Sequence, residues 1–260
     1  MIRVALAGAG GRMGTEAIRA LSKQADLSLV SAADPHFVGE DAGRRAGIDP
    51  NGVMIKATVE EILEGADVLL DLTHPDSVYA NVLKALEKGV RPVIGTTGLG
   101  EAQIEELRQR CGEKHLGGIL APNFALGAIL MMKFAREASK YFADAEIIEL
   151  HHDKKADAPS GTAIKTAELM LKERARFNEN RNEKETLPGA RGAELGGLRL
   201  HSLRLPGLVA HQEVIFGGVG ETLSIRHDSL SRESFMPGVL LAIRKVVDVD
   251  HFVYGLDNIL

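Results

Sequence analysis

The sequence predicts an α/β fold, a parallel sheet with helices on its faces, followed by a smaller mixed α+β unit. Three observations predict it. Short apolar runs alternate with helical patterns over the first half of the chain. The run Asp67-Val68-Leu69-Leu70-Asp71-Leu72 is almost continuously apolar, as a strand covered on both faces requires. After residue 123 the alternation stops, and strand-like runs follow one another with glycine-marked turns.

The elements follow in order. Residues 2–7 are an apolar run of strand length, and Gly8 to Gly14 is a glycine-rich turn. Residues 15–24 read as a helix with Ala17, Ile18, Ala20 and Leu21 on one face. Residues 27–33 are a second strand, which completes a βαβ unit. Residues 36–57 read as irregular and 58–64 as a short helix. Strand 67–72, helix 76–88, strand 91–95, helix 100–111 and strand 118–121 continue the alternation. In the second part the pattern predicts a helix over 126–140, a strand over 145–150 and a helix over 161–174. Residues 175–192 are charged and marked by Gly and Pro, and read as a mobile surface loop. Runs 198–205, 208–216 and 221–227 read as an antiparallel meander, and 234–246 as a final helix. The expected division is 1–123, joined by 235–260, as a dinucleotide-binding domain, and 124–234 as a substrate-binding domain.

Composition narrows the function. The 260 residues carry a net charge of −5 and no Trp, and aromatics are 4%. That disfavours nucleic acid, which needs basic patches and stacking platforms, and disfavours anionic membrane surfaces. The single Cys111 forms no internal disulfide or thiolate cluster and fits a reducing compartment. The first residues lack the apolar core of a secretory signal, and no apolar run reaches the roughly 18 residues of a membrane span. A cytoplasmic location is expected.

The run from His151 to Thr162 holds two imidazoles, His151 and His152, and two ammonium groups, Lys154 and Lys155. Imidazoles move protons near neutral pH, and ammonium groups hold or protonate an anion. Pro159-Ser160-Gly161-Thr162 leads into a helix whose first backbone N–H groups are free to bind a carboxylate. Strand-end His and Lys residues are commonly solvated surface. Here the polar run lies between an apolar strand and a helix start, a rigid frame suited to chemistry. Such a segment suits a small, multiply charged acid that is protonated during reaction. Lys155 is the natural proton donor, with His151 or His152 as carboxylate partner or proton shuttle. Adjacent imidazoles on a strand point to opposite faces, so residue type does not choose between them. Asp153 and Lys154 read as solvated and Asp157 as turn-forming. Three consecutive side chains, His151, His152 and Asp153, do not converge on one ion, so no metal is expected.

The glycine turn reads Gly8-Ala9-Gly10-Gly11-Arg12-Met13-Gly14, with Gly8, Gly11 and Gly14 as the workable spacing because position 13 is Met. An ordinary tight βα connection has a similar composition. Its place at the first strand end, with Asp34 ending the second strand, favours dinucleotide binding, the carboxylate bonding ribose hydroxyls. A carboxylate repels a 2′-phosphate and Pro35 adds no cation, so NADH is expected to be preferred with NADPH tolerated. Arg12 and His36 are the cations in reach of a phosphate. Three further strand-end loops are Thr73-His74-Pro75, Gly95-Thr96-Thr97-Gly98 and Ala121-Pro122-Asn123-Phe124.

Together the glycine turn, Gly95-Thr96-Thr97-Gly98, Asn123-Phe124, and the glutamate–leucine–histidine–histidine run through Lys155 to Pro159-Ser160-Gly161-Thr162 resemble the 4-hydroxy-tetrahydrodipicolinate (dihydrodipicolinate) reductases over nearly the whole chain. The resemblance implies a Rossmann-type domain, a mixed α+β substrate and oligomerisation domain, and a homotetramer. It implies reduction of a cyclic imine dicarboxylate by NAD(P)H in diaminopimelate and lysine biosynthesis. By motif position, His151 matches the acid/base and Lys155 the proton donor. His152, Gly161 and Thr162 match substrate binders. Gly8, Ala9, Gly10, Gly11, Arg12, Met13, Asp34, Gly95, Thr96, Thr97, Ala121, Pro122, Asn123 and Phe124 match cofactor contacts. Many members carry Arg where this chain has Pro35, a departure that bears on NADPH use. An aspartate dehydrogenase-like enzyme would share the fold but leaves the His-His…Lys…Ser-Gly-Thr segment unexplained. A nucleotide-sensing regulator would bind dinucleotide without turnover, and the same segment argues against it.

Overall fold

The computed structural model describes residues 1–179 and 184–260, and the expected loop over 175–192 lies outside the described residues at 180–183. The chain forms two compact units, Met1–Ala125 with Phe235–Leu260, and Leu126–Ser234.

The first unit opens with β1 (Ile2–Ala7), α1 (Arg12–Leu21) and β2 (Leu27–Ala33). The helix begins three residues earlier than its apolar face predicts, because the glycine turn itself winds into the first helical turn from Gly11. The stretch read as irregular contains α2 (Ala42–Arg45) and β3 (Ile55–Lys56), both too short for periodicity to show. A 3-10 turn, Glu60–Ile62, stands where a short helix is predicted. The alternation continues as β4 (Val68–Asp71), α3 (Pro75–Glu87), β5 (Arg91–Ile94), α4 (Glu101–Lys114) and β6 (Gly118–Leu120). Pro75 sits in the first turn of α3, where its missing N–H has no acceptor to lose.

The second unit runs α5 (Leu126–Ala138), β7 (Asp144–His151), α6 (Gly161–Glu173), β8 (Ala193–Leu195), β9 (Leu198–Arg204), β10 (Ala210–Gly218) and β11 (Glu221–Ser229). Its sheet order is β11-β10-β7-β9-β8. This corrects the predicted meander. Of the three runs, β10 and β11 form a hairpin, while β9 pairs in parallel with β7 on its other side and in an antiparallel hairpin with β8. The linker after β9 crosses the end of β7, where the Leu205 N–H donates to the His151 carbonyl at 3.1 Å. A short turn between alternating strands reads locally as a hairpin. Here both strands instead flank β7, whose inner face buries Ala145, Ile147 and Glu149. The inner faces of the sheet and α6 share a core of Ile147, Leu200, Val214, Phe216, Ala167 and Met170. Phe177 joins that core at 1% exposure, and Asn178 donates to the Ala145 and Gly197 carbonyls. The start of the segment read as a mobile loop is therefore anchored: one aromatic among charges supplies the burial that composition hides.

The chain returns to the first unit as α7 (Met236–Val246) and β12 (Phe252–Tyr254). Its sheet has the order β12-β6-β5-β4-β1-β2-β3, and every pairing in it is parallel. Val4, Leu6, Leu69, Leu70, Val93, Ile94 and Ile119 are all fully buried, as helices on both faces require. The order reverses beside β1, and ligands of open parallel sheets bind at such a switch point, beyond the strand C-termini.

Candidate active site

In the first unit the glycine turn lies at the C-terminal end of β1. Gly8 takes φ +81°, and the N–H groups of Gly8 and Ala9 both donate to the Ala33 carbonyl at the end of β2. The first turn of α1 holds no acidic residue, so its positive dipole end is left for an anion. A Cβ at Gly14 would stand 2.1 Å from the Gly8 carbonyl oxygen, so the helix and the turn touch through backbone. Asp34 is 7% exposed and accepts from the Gly10 N–H at 2.9 Å and the His36 N–H at 3.0 Å. Its carboxylate thus ties the glycine turn to the turn after β2. The Phe37 ring lies against Gly10, and the Arg45 guanidinium stacks 3.5 Å above that ring while donating to the Gly10 carbonyl. A cleft of about 480 Å³ runs from Gly8 and Gly11 past Asp34, Pro35 and His36 to Thr73 and His74. Arg12 is exposed at the first position of α1, and Met13 is half-buried beside it.

Two more of the predicted loops are joined by one buried carboxylate. Asp71, at the end of β4, accepts from Thr73 N–H at 3.1 Å, Thr73 Oγ1 at 2.6 Å, Asn81 Nδ2 at 2.9 Å and Thr96 Oγ1 at 2.9 Å. Gly95 is pressed by Phe124 and Leu72, where a Cβ would meet ring and methyl carbons at 2.6 and 2.7 Å. Thr97 is exposed. Ala121 continues β6, its N–H bonded to the Ile94 carbonyl, and Pro122 is exposed after it. Asn123 Oδ1 accepts the Ala125 N–H at 2.9 Å and Phe124 is buried, so this loop too has a fixed shape. Residue patterns missed Asp71, Asn81, Phe37 and Arg45. Asp71 carried a signal, an acid inside an otherwise apolar strand.

The residues fit a dinucleotide. Backbone approaches closely at Gly8 and Gly14, while a Cβ on Gly11 would touch nothing nearer than 3.4 Å, which leaves open space at the helix end. That is the arrangement a pyrophosphate needs.

In the second unit β7 carries Ile147, Glu149 and His151 on its inner face, and the chain then leaves the sheet. His151 is half-buried, and His152, Asp153 and Lys154 are exposed. Lys155 Nζ donates to both Asp157 carboxylate oxygens, at 2.7 and 2.9 Å. The hydrogen bond from Lys155 holds the Asp157 carboxyl below the usual carboxylate range. Asp157 is thus a partner of Lys155 as well as a turn residue. The Ala158-Pro159 peptide is cis. Ser160 caps α6, its Oγ accepting the Ala163 N–H at 3.2 Å. Gly161 faces open space and Thr162 is half-buried, so the first amides of α6 are presented outward.

Under this loop lies Glu149, fully buried. It accepts from His151 Nδ1 at 2.5 Å, from Arg204 Nη1 and Nη2 at 2.8 and 2.7 Å, and from the Ser160 N–H at 3.1 Å. Burial opposes its ionisation, but hydrogen bonds from Arg204, Ser202 and His151 outweigh that, and its carboxyl lies below the ordinary range. Burial pushes the His151 imidazolium down; Glu149 pulls it up, Lys155 and Arg204 push it down, and it remains below the usual histidine value. Arg204 Nη2 also donates to the Asp157 carbonyl at 2.7 Å and so pins the loop. Among the described residues no group of His, Cys, Asp and Glu is arranged to hold a metal ion, and no helix is long and apolar enough to cross a membrane.

A parallel sheet with a glycine-rich turn at its switch point, together with a second unit carrying an imidazole–ammonium loop, is the architecture of a pyridine-nucleotide-dependent oxidoreductase. Comparison with known proteins makes the class specific. Residues 2–124 match the family model described as dihydrodipicolinate reductase, N-terminus, and residues 127–260 the model for its C-terminus. The chain is 52% identical over 266 residues to the 4-hydroxy-tetrahydrodipicolinate reductase of Lysinibacillus sphaericus, covering 100% of this chain and 99% of that one. It is 52% identical over 263 residues to the enzyme of Halalkalibacterium halodurans, with 100% of each chain covered. Among solved structures, the dipicolinate-bound dihydrodipicolinate reductase of Paenisporosarcina sp. TG-14 superposes with a TM-score of 0.89 at 46% identity over 100% of both chains. The chain belongs to the dihydrodipicolinate reductase family. Its reaction is the reduction of 4-hydroxy-tetrahydrodipicolinate in diaminopimelate and lysine biosynthesis.

Proposed function

We propose that Lys155 and His151 are the proton-transfer groups of this reduction, that His152, Gly161 and Thr162 hold the carboxylates of a small cyclic dicarboxylate, and that NADH is preferred over NADPH. The net change replaces the 4-hydroxyl by hydrogen and leaves the ring imine in place: the hydroxyl leaves as water, which opens a C=C conjugated with the imine, and hydride adds at the carbon that carried it while one proton is taken up. Electron density pushed into the ring spreads along the conjugated C=N system and must be met by a proton. Bound NAD(P)H supplies the hydride. Lys155 Nζ offers three donors on a flexible stem, and its partner Asp157 is exposed enough for a substrate carboxylate to compete with it. His151 keeps Nδ1 on Glu149 and so has Nε2 left for substrate or water. The outward amides of α6 and the Thr162 hydroxyl bind a carboxylate as a helix N-terminus does. The preference for NADH rests on Asp34, whose carboxylate stands at the glycine turn followed by Pro35. The Gly8-to-Met13 turn, Gly95 to Thr97 and Ala121 to Phe124 would hold the dinucleotide in the first unit. We further infer a homotetramer, assembled through the second unit, working in the cytoplasm.

The observation that carries this reading is that His151, Lys155 and the open start of α6 belong to one loop fastened at both ends, by Glu149 and by Arg204. The test is turnover of 4-hydroxy-tetrahydrodipicolinate, generated from pyruvate and aspartate semialdehyde, with each cofactor. Lys155→Ala and His151→Ala are each expected to lower kcat by about 10²–10⁴-fold, the usual worth of a positioned acid or base, with unchanged unfolding. Near-normal turnover in either variant removes that residue from its role. A higher kcat/KM with NADPH than with NADH overturns the Asp34 argument.

A further inference from the structure

We propose that Glu149 is a positioning residue of the reaction: one buried carboxylate that aims His151 at the substrate and fixes the start of the carboxylate-binding helix α6. The proposal rests on the assignment of His151 as a proton-transfer group, and it is read out separately below.

The argument begins with valence. An ionised carboxylate offers about four lone-pair sites. Those of Glu149 are taken by His151 Nδ1, both Arg204 terminal nitrogens and the Ser160 N–H, with the Ser202 hydroxyl as a further donor. Glu149 is fully buried, so it reaches no ligand itself and acts only through these partners. Because the carboxylate is an acceptor only, the His151 Nδ1 carries the hydrogen and donates. Neutral His151 is thereby held as one tautomer, with Nε2 unprotonated and free. The same carboxylate takes the N–H of Ser160, the residue whose hydroxyl caps α6. The imidazole and the helix start are thus referred to one buried point, eleven residues of loop being bridged by a single side chain. Arg204 supplies the countercharge that keeps Glu149 ionised away from water and, through the Asp157 carbonyl, also holds the segment next to Lys155.

The charged groups that face His151 are Glu149 on its own strand, Arg204 on β9 and Lys155 from the loop; β10 presents the uncharged Ala210 opposite it. These signs set a test that simple loss of packing does not imitate. Removing the Glu149 charge removes the one group that raises the imidazole's proton affinity. Removing Arg204 removes one of those that lower it. The two changes should therefore move His151 in opposite directions.

The experiment follows the imidazole resonances of the intact protein by NMR across pH, with His151 assigned through His151→Ala, and pairs this with kcat–pH profiles. In the parent the neutral His151 is expected as the Nδ1–H tautomer. In Glu149→Gln its titration and the limb of the rate profile that follows it move to lower pH. The same variant loses roughly 10- to 100-fold in kcat, within the worth of a general acid, with the KM for NADH unchanged. In Arg204→Met the titration and the limb move to higher pH. An Nε2–H tautomer in the parent, or a folded Glu149→Gln protein with an unmoved His151, overturns the proposal. If Glu149→Gln does not fold, an unmoved or lowered His151 in Arg204→Met overturns it alone. The titration needs no turnover, so activity surviving in His151→Ala would defeat the proton-transfer assignment without touching the contact read by NMR.

Discussion

Four glycines in one turn carry four different constraints. Gly8 takes φ +81°, and a Cβ there would stand 2.4 Å from the Leu72 carbonyl oxygen. Gly10 faces the Phe37 ring and Gly14 the Gly8 carbonyl, with a Cβ 1.9 and 2.1 Å from them. Gly11 alone is unhindered, at an ordinary φ of −73°. The fold needs Gly8, Gly10 and Gly14, whereas Gly11 leaves room for a phosphate. Gly14→Ala should then destabilise the protein by about 1–3 kcal/mol, the usual cost of overpacking. Gly11→Ala should unfold as the parent does but bind NADH tenfold more weakly or worse, about 1.4 kcal/mol. Thermal unfolding and dinucleotide titration on the two variants check this, and a Gly11→Ala protein with parental affinity would show that no phosphate approaches there. Spacing alone picked out Gly8, Gly11 and Gly14. The demand on Gly10 was not legible, because it comes from a ring that only folding brings to it. Asp71 and Glu149 stayed without a role for the same reason: the partners that make them organising carboxylates lie on other elements.

At the level of elements, periodicity placed the long helices and the parallel strands within a few residues, since each buries a face with a regular repeat. It failed where pairing is decided by tertiary partners. β9 and β10 are joined by a short linker, yet both pair with β7, and local pattern carries no information about a third strand. That insertion has a consequence for the chemistry: it places Arg204 of β9 beside His151 of β7 in the ladder. A meander would have left Glu149 without its countercharge. The start of α6 was legible from Ser160-Gly161-Thr162, and its cap can be tested alone. Ser160→Ala removes the Oγ that accepts from Ala163 but keeps the N–H bonded to Glu149. It should cost about 1 kcal/mol of stability, as loss of a helix cap does. The frayed first turn should raise the KM for substrate more than it lowers kcat. Denaturant unfolding and steady-state kinetics measure the two effects, and an unchanged KM would separate the cap from carboxylate binding.

For the whole molecule, composition and alternation were enough to give the α/β class, because a parallel sheet covered on both faces leaves few other readings. The number of copies is a different matter, and the second unit supplies an argument for it. Helices cover the inner face of its sheet. The outer face carries Ile148, Leu150, Leu203 and Ile215 among Glu146, Arg199, Glu213 and Arg226, and Leu203 is 37% exposed. An open sheet face with an apolar centre and a charged margin matches the anatomy of a subunit interface. A symmetric sheet-on-sheet contact would bury Leu150 and the Leu203 beside it in the ladder against a second copy. One such two-fold contact makes a dimer, and the proposed homotetramer pairs two of these, so the expected mass in solution is about four times 27.9 kDa. Leu203→Glu should shift the protein to smaller species and make its Tm fall and depend on concentration, because assembly no longer stabilises the folded chain by mass action. Light scattering of the two proteins across a dilution series decides the matter. A monomeric parent removes the assembly, and a tetrameric Leu203→Glu variant moves the interface away from this face.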